Sequence, residues 1–366
     1  MEFALSELSN QVMAARAALR PVFIRGGGTK SFYGEIDGLE DISSYSVLDM
    51  SAYQGIVNYQ PSELVITAKA GTLLSEIEQT LNDQNQMLAF EPPRFGPRST
   101  IGGCVSAGLS GPRRMAAGSL RDFILGTRLL DSTGAVLQFG GEVMKNVAGY
   151  DVSRLLAGSM GIFGALLEVS IKVAPRPFLE ETRVLDVDQA GALAFFGQWR
   201  GQPLPISASA WHADSDHPAG RLWVRLSGSE PAVTSAIKKI GGQAMAATQA
   251  APFWDSLRDQ THPFFTTLPM WRVAVPPQTP PLGLGPALME WNGGQRWFAN
   301  PDSGADLRLP VARAGGHATL FRYASKAADV PAFHPPGAGL MNISRRMKHQ
   351  LDPSGIFNPK RLFPEF

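Results

Sequence analysis

Three glycine-rich segments constrain this chain more than anything else in it: RGGGTK at 25–30, STIGGCVSAGLSG at 99–111 and GSMGIFG at 158–164. The first and third adjoin strand-like runs. Glycine is favoured there when the backbone must turn with positive φ or come close to something flat or anionic. Consecutive glycines let several backbone N–H groups converge on one anion, and Arg25 and Lys30 at the rims of the first segment can neutralise a diphosphate. Three charge-assisted hydrogen bonds at about 1.5–3 kcal/mol each supply about 5–9 kcal/mol, enough for micromolar-range holding. Two familiar nucleotide loops do not fit. A Walker-type loop needs Gly-Lys-Ser/Thr, whereas Thr29 separates Gly28 from Lys30, and a Rossmann GxGxxG lacks its third glycine because Ser31 stands there. Taken alone, the first loop also reads as a bare glycine turn. In the second segment Gly102, Gly103 and Gly108 admit a close ligand, and Ser99, Thr100 and Ser106 supply hydroxyls. Downstream, GSLRDFILG adds Gly118, Ser119, Arg121 and Asp122.

The glycines are concentrated where the prolines are not: residues 1–178 hold 21 of 38 Gly but only 8 of 28 Pro, which predicts two regions built differently. A length of 366 residues suits two domains. Helices are predicted over 3–20, 73–83, 232–240 and 342–350, and strands at 22–25, 47–50, 64–69, 123–130, 136–139, 165–173 and 222–226. Residues 91–118 give almost no strand or long-helix signal, and 263–336, with 12 Pro, no confident period. A net charge of +1 offers no field for nucleic acid, and the cluster Arg345, Arg346, Lys348, His349 reads as a basic helix face paired with a partner or a phosphate. Cys104 is the single cysteine, so four thiolates for an iron–sulfur cluster are absent, and it reads as a small buried apolar residue. With no signal-peptide pattern and no apolar run approaching about 18 residues, the chain reads as cytoplasmic, without a transmembrane segment.

The order RGGGT, STIGG, GSLRDFILG, KNVAGYD, GSMGIFGALLEVSIKV and a terminal DPSGIFNPKRLF resembles the FAD-binding fold of the vanillyl-alcohol oxidase and p-cresol methylhydroxylase superfamily. Within it, the chain is most similar to the FAD-binding subunits of bacterial glycolate oxidases. The resemblance is strong over 1–178 and in the tail; the middle is covered by length and general character. It implies an α+β fold: a p-cresol methylhydroxylase-type FAD domain of two α+β subdomains at 1–178, a smaller α+β cap at 179–335, and a segment at 336–366 that returns to the FAD domain. By the same resemblance Gly26, Gly27, Gly28 and Thr29 cradle the pyrophosphate, and Thr100, Gly102 and Gly103 lie along the pyrophosphate and ribityl chain. Gly118, Ser119 and Asp122 contact the nucleotide, Gly161 and Gly164 approach the adenosine side, and Asn358 and Lys360 fold back towards the flavin.

Two departures carry weight. Relatives with covalently held flavin often place the linking histidine in the first loop, where this chain has Thr29, so non-covalent FAD is expected. The clustered histidine metal and base motif of related 2-hydroxy-acid dehydrogenases is missing, so no metal and no catalytic base is assigned. His212 and His217 read as parts of a solvated WHADSDH turn. Arg221, Arg225, Arg272 and Arg322 read first as surface or interface cations that could meet a carboxylate. The resemblance implies one subunit of a heteromeric glycolate oxidase, converting a small 2-hydroxy acid, with a larger flavoprotein subunit and an iron–sulfur subunit as partners and any inner-membrane association made through them. A stand-alone FAD-dependent 2-hydroxy-acid or alcohol oxidoreductase, and a structural subunit that has lost FAD, are the alternatives. The low charge and seven Trp, all after residue 178, predict a subunit interface in the second half.

Overall fold

Strand Ala165–Lys172 buries residues on both of its faces, as a central strand must, and the chain builds a five-stranded antiparallel sheet around it. The order across this sheet is Ile56–Gln60, Val65–Lys69, Ala165–Lys172, Ile124–Leu130, Val136–Gly140. The protein is described by a computed structural model covering residues 2–35, 42–141, 150–299, 307–327 and 330–366. The KNVAG part of the KNVAGYD motif, 145–149, lies outside the described residues.

The chain divides into two compact units, one of Met1–Leu109, Ser119–Pro175 and Pro335–Phe366, the other of Ser110–Gly118 and Arg176–His334. The segment Ser110–Gly118, which the sequence places inside 1–178, is therefore grouped with the second unit.

In the first unit, strand Val22–Arg25 pairs in parallel with Ser46–Asp49, and Val22 also bridges in parallel to Phe357 of the tail. The tail thus borders the strand that delivers the first glycine loop. Helix Leu74–Asn82 buries Leu74, Ile77 and Leu81, the i, i+3, i+7 stripe that makes it legible in sequence. Helix Glu2–Ala17 ends short of the predicted boundary, with Leu19 at φ 50° just before Pro21.

Residues 91–118 differ from expectation: they contain helix Ile101–Ala107 and the single turn Arg114–Ala117. In the first of these, Ile101, Gly102, Cys104, Val105 and Ala107 are all buried, so no polar face exists to create a period. Thr100 caps it, its hydroxyl accepting from the Gly103 amide at 3.3 Å.

The second unit holds an eight-stranded antiparallel sheet in the order Gln243–Met245, Leu179–Asp186, Arg221–Gly228, Ile206–His212, Ala287–Glu290, Gln295–Ala299, Met270–Ala274, His317–Arg322. Four of these strands come from the region without a readable period, because strands of four to six residues separated by prolines are too short to show one. Helices Gln189–Trp199 and Glu230–Ile240 pack on one face through a core of Phe196, Trp211, Leu222, Val224, Leu226 and Met289. All seven tryptophans are buried, each within the second unit, so they form core rather than the exposed interface expected of them. His212 is likewise no part of a solvated turn. It is buried on strand Ile206–His212 and stacked on Trp223 at 5.3 Å, while His217 bonds Asp214 at 3.2 Å in the following loop.

Candidate functional site

Strand Val22–Arg25 ends in a loop whose backbone is left open. The amides of Gly26, Gly27, Gly28 and Thr29 donate no hydrogen bond among the described residues. They border a cleft in the first unit lined also by Arg25, Lys30, Thr100, Gly102, Gly103, Ser106, Gly161, Gly164, Asn358 and Arg361. A row of unpaired N–H groups is costly unless water or an anion meets it. Gly27 is obligatory here: a Cβ built on it would lie 1.5 Å from the Arg98 carbonyl oxygen. Gly28 has φ +72°, which turns the loop back on itself.

The side chains at the rims behave differently from their reading in sequence. Arg25 is turned onto Asp49, at 2.9 Å; burial pushes that carboxyl up, but the bonds from Ser51 and the guanidinium outweigh burial in sum and hold the carboxyl below its usual range. Lys30 is buried, its Nζ donating to Ser99 Oγ at 2.7 Å and lying 5.6 Å from the Phe95 ring centre. Its ammonium thus braces the 94–99 segment against the loop. Ser99 itself is buried behind the cleft in that role and does not line it.

The tail closes the far side. Asn358 Nδ2 donates to the Met160 carbonyl at 2.7 Å and its Oδ1 accepts from the Ile24 amide at 2.9 Å, so one amide side chain ties the first strand to the GSMGIFG turn. Lys360, the other tail residue singled out in sequence, is exposed and outside the lining. Its neighbour Arg361 is buried and lines the cleft, donating to the carbonyls of Ser31 at 2.6 Å and Glu35 at 2.7 Å. Nothing local in NPKRLF distinguishes the two; the positive φ of Asn358 and Lys360 in the turn sets which one faces in. Behind the turn, buried Lys348 donates to Asp352 at 2.6 Å and to the carbonyls of Ile162 and Phe357 at 2.6 and 2.9 Å. Burial pushes its ammonium down, and Asp352 opposes that shift. The basic helix face thus includes a structural lysine.

The remaining residues lie apart from the cleft. Gly108 ends helix Ile101–Ala107 with φ +65°, and Gly118 ends the turn Arg114–Ala117 within the second unit. Ser119 and Asp122 form a capping box, with Asp122 paired to Arg154 at 2.5 Å; burial raises its pKa, but the bonds from Ser119 and Arg154 outweigh this and lower it. Sequence reasoning missed Phe23, Ile24, Met50, Ala70, Ala107, Met160 and Leu166, which give the cleft apolar walls. Their signal is only adjacency to the glycine motifs. Cys104 is buried, and burial pushes its thiol up to about 12, so it is no nucleophile at neutral pH. Among the described residues no group of three His, Cys, Asp or Glu side chains could hold a metal.

The open amides, the absence of room for a Cβ at Gly27 and the apolar walls fit a dinucleotide whose diphosphate sits on the loop and whose rings lie along the cleft. Comparison with known proteins agrees. Residues 5–140 match the family model described as an FAD binding domain. The chain is 41% identical over 366 residues to glycolate oxidase subunit GlcE of Escherichia coli (strain K12), covering 99% of this chain and 97% of that one. It is 27% identical to glycolate oxidase subunit GlcD of Bacillus subtilis (strain 168) over 44% of this chain and 33% of that one. With D-lactate dehydrogenase of Anaerostipes hadrus it shares 28% identity over 39% of this chain and 30% of that one. In fold it resembles a solved alkyldihydroxyacetonephosphate synthase, with a TM-score of 0.68 at 14% identity over 97% of this chain and 74% of that one.

Proposed function

The chain belongs to the family of the glycolate oxidase subunit GlcE, and from that premise we propose that it is the FAD-binding subunit of a heteromeric oxidase converting glycolate to glyoxylate. The observation that carries this reading is the loop itself. Four consecutive amides open onto a cleft, backed by a carbonyl too close to Gly27 for any side chain. In that role FAD supplies the hydride-accepting ring. This chain's residues hold it: the amides of Gly26–Thr29 take the diphosphate, Thr100, Gly102 and Gly103 border its chain, and Gly161 and Gly164 leave space opposite. Asn358 and Arg361 keep the tail against the loop.

The partners we propose are a larger flavoprotein subunit and an iron–sulfur subunit. The single cysteine, Cys104, supports this division, since an iron–sulfur cluster needs more thiolates than this chain has. No helix of the described residues is long and apolar enough to cross a membrane, so any membrane association is proposed to run through those partners. The flavin is proposed to be non-covalent, because no histidine stands in the loop. The test is the visible flavin absorbance of the purified chain, followed by acid precipitation: yellow protein that releases its flavin to the supernatant supports the reading. Colourless protein that FAD cannot reconstitute refutes it. Reduction by glycolate that occurs with the chain alone, at the rate of the assembled complex, would favour the stand-alone oxidoreductase instead.

A further inference from the structure

The second unit carries a basic cluster that lies outside the lining of the FAD cleft. On strand Met270–Ala274, Arg272 lies opposite Trp297 and Thr319, and Ala274 lies opposite His317 and Gln295. Alternation along the strands therefore puts Arg272, His317, Trp297 and Gln295 on one face. Met289, packed with the two covering helices, belongs to the other face, while its neighbour Glu290 shares the face of Gln295.

Around Arg272 the surroundings are ordered. Its Nε donates to Gln295 Oε1 at 2.6 Å, and its guanidinium lies 5.3 Å from the Trp291 ring and 6.0 Å from the Trp297 ring. Arg114 approaches the same Trp291 ring at 4.7 Å, and the indole is itself fixed by a hydrogen bond to the Gly111 carbonyl at 3.1 Å. Two guanidiniums thus share one indole. His317 adds a third basic group, its ring 6.3 Å from that of His334. Although His317 is exposed at the start of its strand, the protein atoms crowding its ring and the charges of Arg272, His334 and Arg114 all push the imidazole towards its neutral form. The carboxylate on this face, Glu290, is buried and takes hydrogen bonds from Gln295 at 2.8 Å and Trp297 at 2.7 Å. The terminal nitrogens of Arg272 bond to nothing among the described residues.

We propose that this face binds a small carboxylate, with the terminal fork of Arg272 as its bidentate partner and His317 as a second donor. A guanidinium whose Nε is held by Gln295 and which lies near two indole rings loses little freedom on meeting a planar carboxylate. An anion there also meets the positive charges of Arg114 and Arg272, which share the Trp291 ring. A phosphate group suits the site less well, because no row of open backbone amides accompanies the guanidinium.

In naming glycolate as the probe, the inference rests on the functional reading above; the site itself does not. The experiment is calorimetric titration of the full-length chain with glycolate, acetate and inorganic phosphate, with flavin absorbance recorded for every sample. We expect saturable glycolate binding, weakened about tenfold or more in R272Q, several-fold in H317Q, and unchanged in R221Q, whose arginine pairs with Asp186 elsewhere on the sheet. His317 is exposed, so H317Q keeps the fold intact should R272Q not. No saturable binding by the wild type, wild-type affinity in folded H317Q, or phosphate binding tighter than glycolate overturns the proposal. Colourless protein that still binds glycolate refutes the FAD reading while leaving this site standing.

Discussion

Replacing Gly27 with alanine should detach the flavin while leaving most of the fold in place. The added Cβ would stand 1.5 Å from the Arg98 carbonyl oxygen and 2.4 Å from its carbon. A carbon–oxygen contact relaxes at about 3.3 Å, so the two segments must part by about 1.8 Å. Neither gives easily. Arg98 precedes Ser99, which receives the buried Lys30 ammonium at 2.7 Å, and Thr100, which caps the next helix. A displacement of that size takes amide–phosphate hydrogen bonds from about 2.9 Å to beyond their range. Losing two charge-assisted bonds of about 1.5–3 kcal/mol each costs about 3–6 kcal/mol, a rise in the FAD dissociation constant of roughly 10²–10⁴-fold. Gly28→Ala is the control. It strains a residue at φ +72°, by about 1–2 kcal/mol, but its nearest atom is Ser31 Oγ at 3.9 Å, so the neighbouring amides stay in place. Titrating flavin-stripped protein with FAD by fluorescence, beside circular dichroism, reads both. A folded Gly27→Ala variant binding FAD within about threefold of wild type would refute the argument that this close approach positions the loop.

Lys348→Met leaves Asp352 and the carbonyls of Ile162 and Phe357 without their buried ammonium, and urea unfolding should show a loss of about 3–5 kcal/mol, partly recovered when Asp352 is also made apolar. His262 is held down to about 4 by burial and by the nearby His212, against 6.5 when unfolded. Below 6.5 the unfolded chain takes up a proton the folded chain refuses, so this contribution to stability is full above that pH and is lost as pH falls towards 4. The urea midpoint should therefore fall between about pH 7 and about pH 5, and less so in His262→Phe; equal slopes in both proteins would sink the assignment. With its thiol up at about 12, Cys104 should resist iodoacetamide in the native protein and react only on unfolding, as mass spectrometry would show; rapid native labelling contradicts its burial.

The sequence by itself determined the local shapes. Leu74, Ile77 and Leu81 announce a helix because their spacing is a property of two turns of chain, and RGGGTK announces an open turn because φ and the missing Cβ belong to single residues. That is why the glycine motifs, in their order, already pointed to one dinucleotide. Periodicity failed where it had no room to show, in the mostly buried helix Ile101–Ala107 and in the short strands of the second unit. Tertiary structure alone decided what each polar group faces. It turned Lys30 onto Ser99, chose Arg361 over Lys360 for the cleft, and buried His212 and all seven tryptophans. It also brought Arg114 and Arg272 onto the Trp291 indole and His317 near both guanidiniums, from four separate stretches of sequence. Strand register and long-range pairing set those neighbours, and a register is fixed by the whole sheet rather than by any window of residues along it.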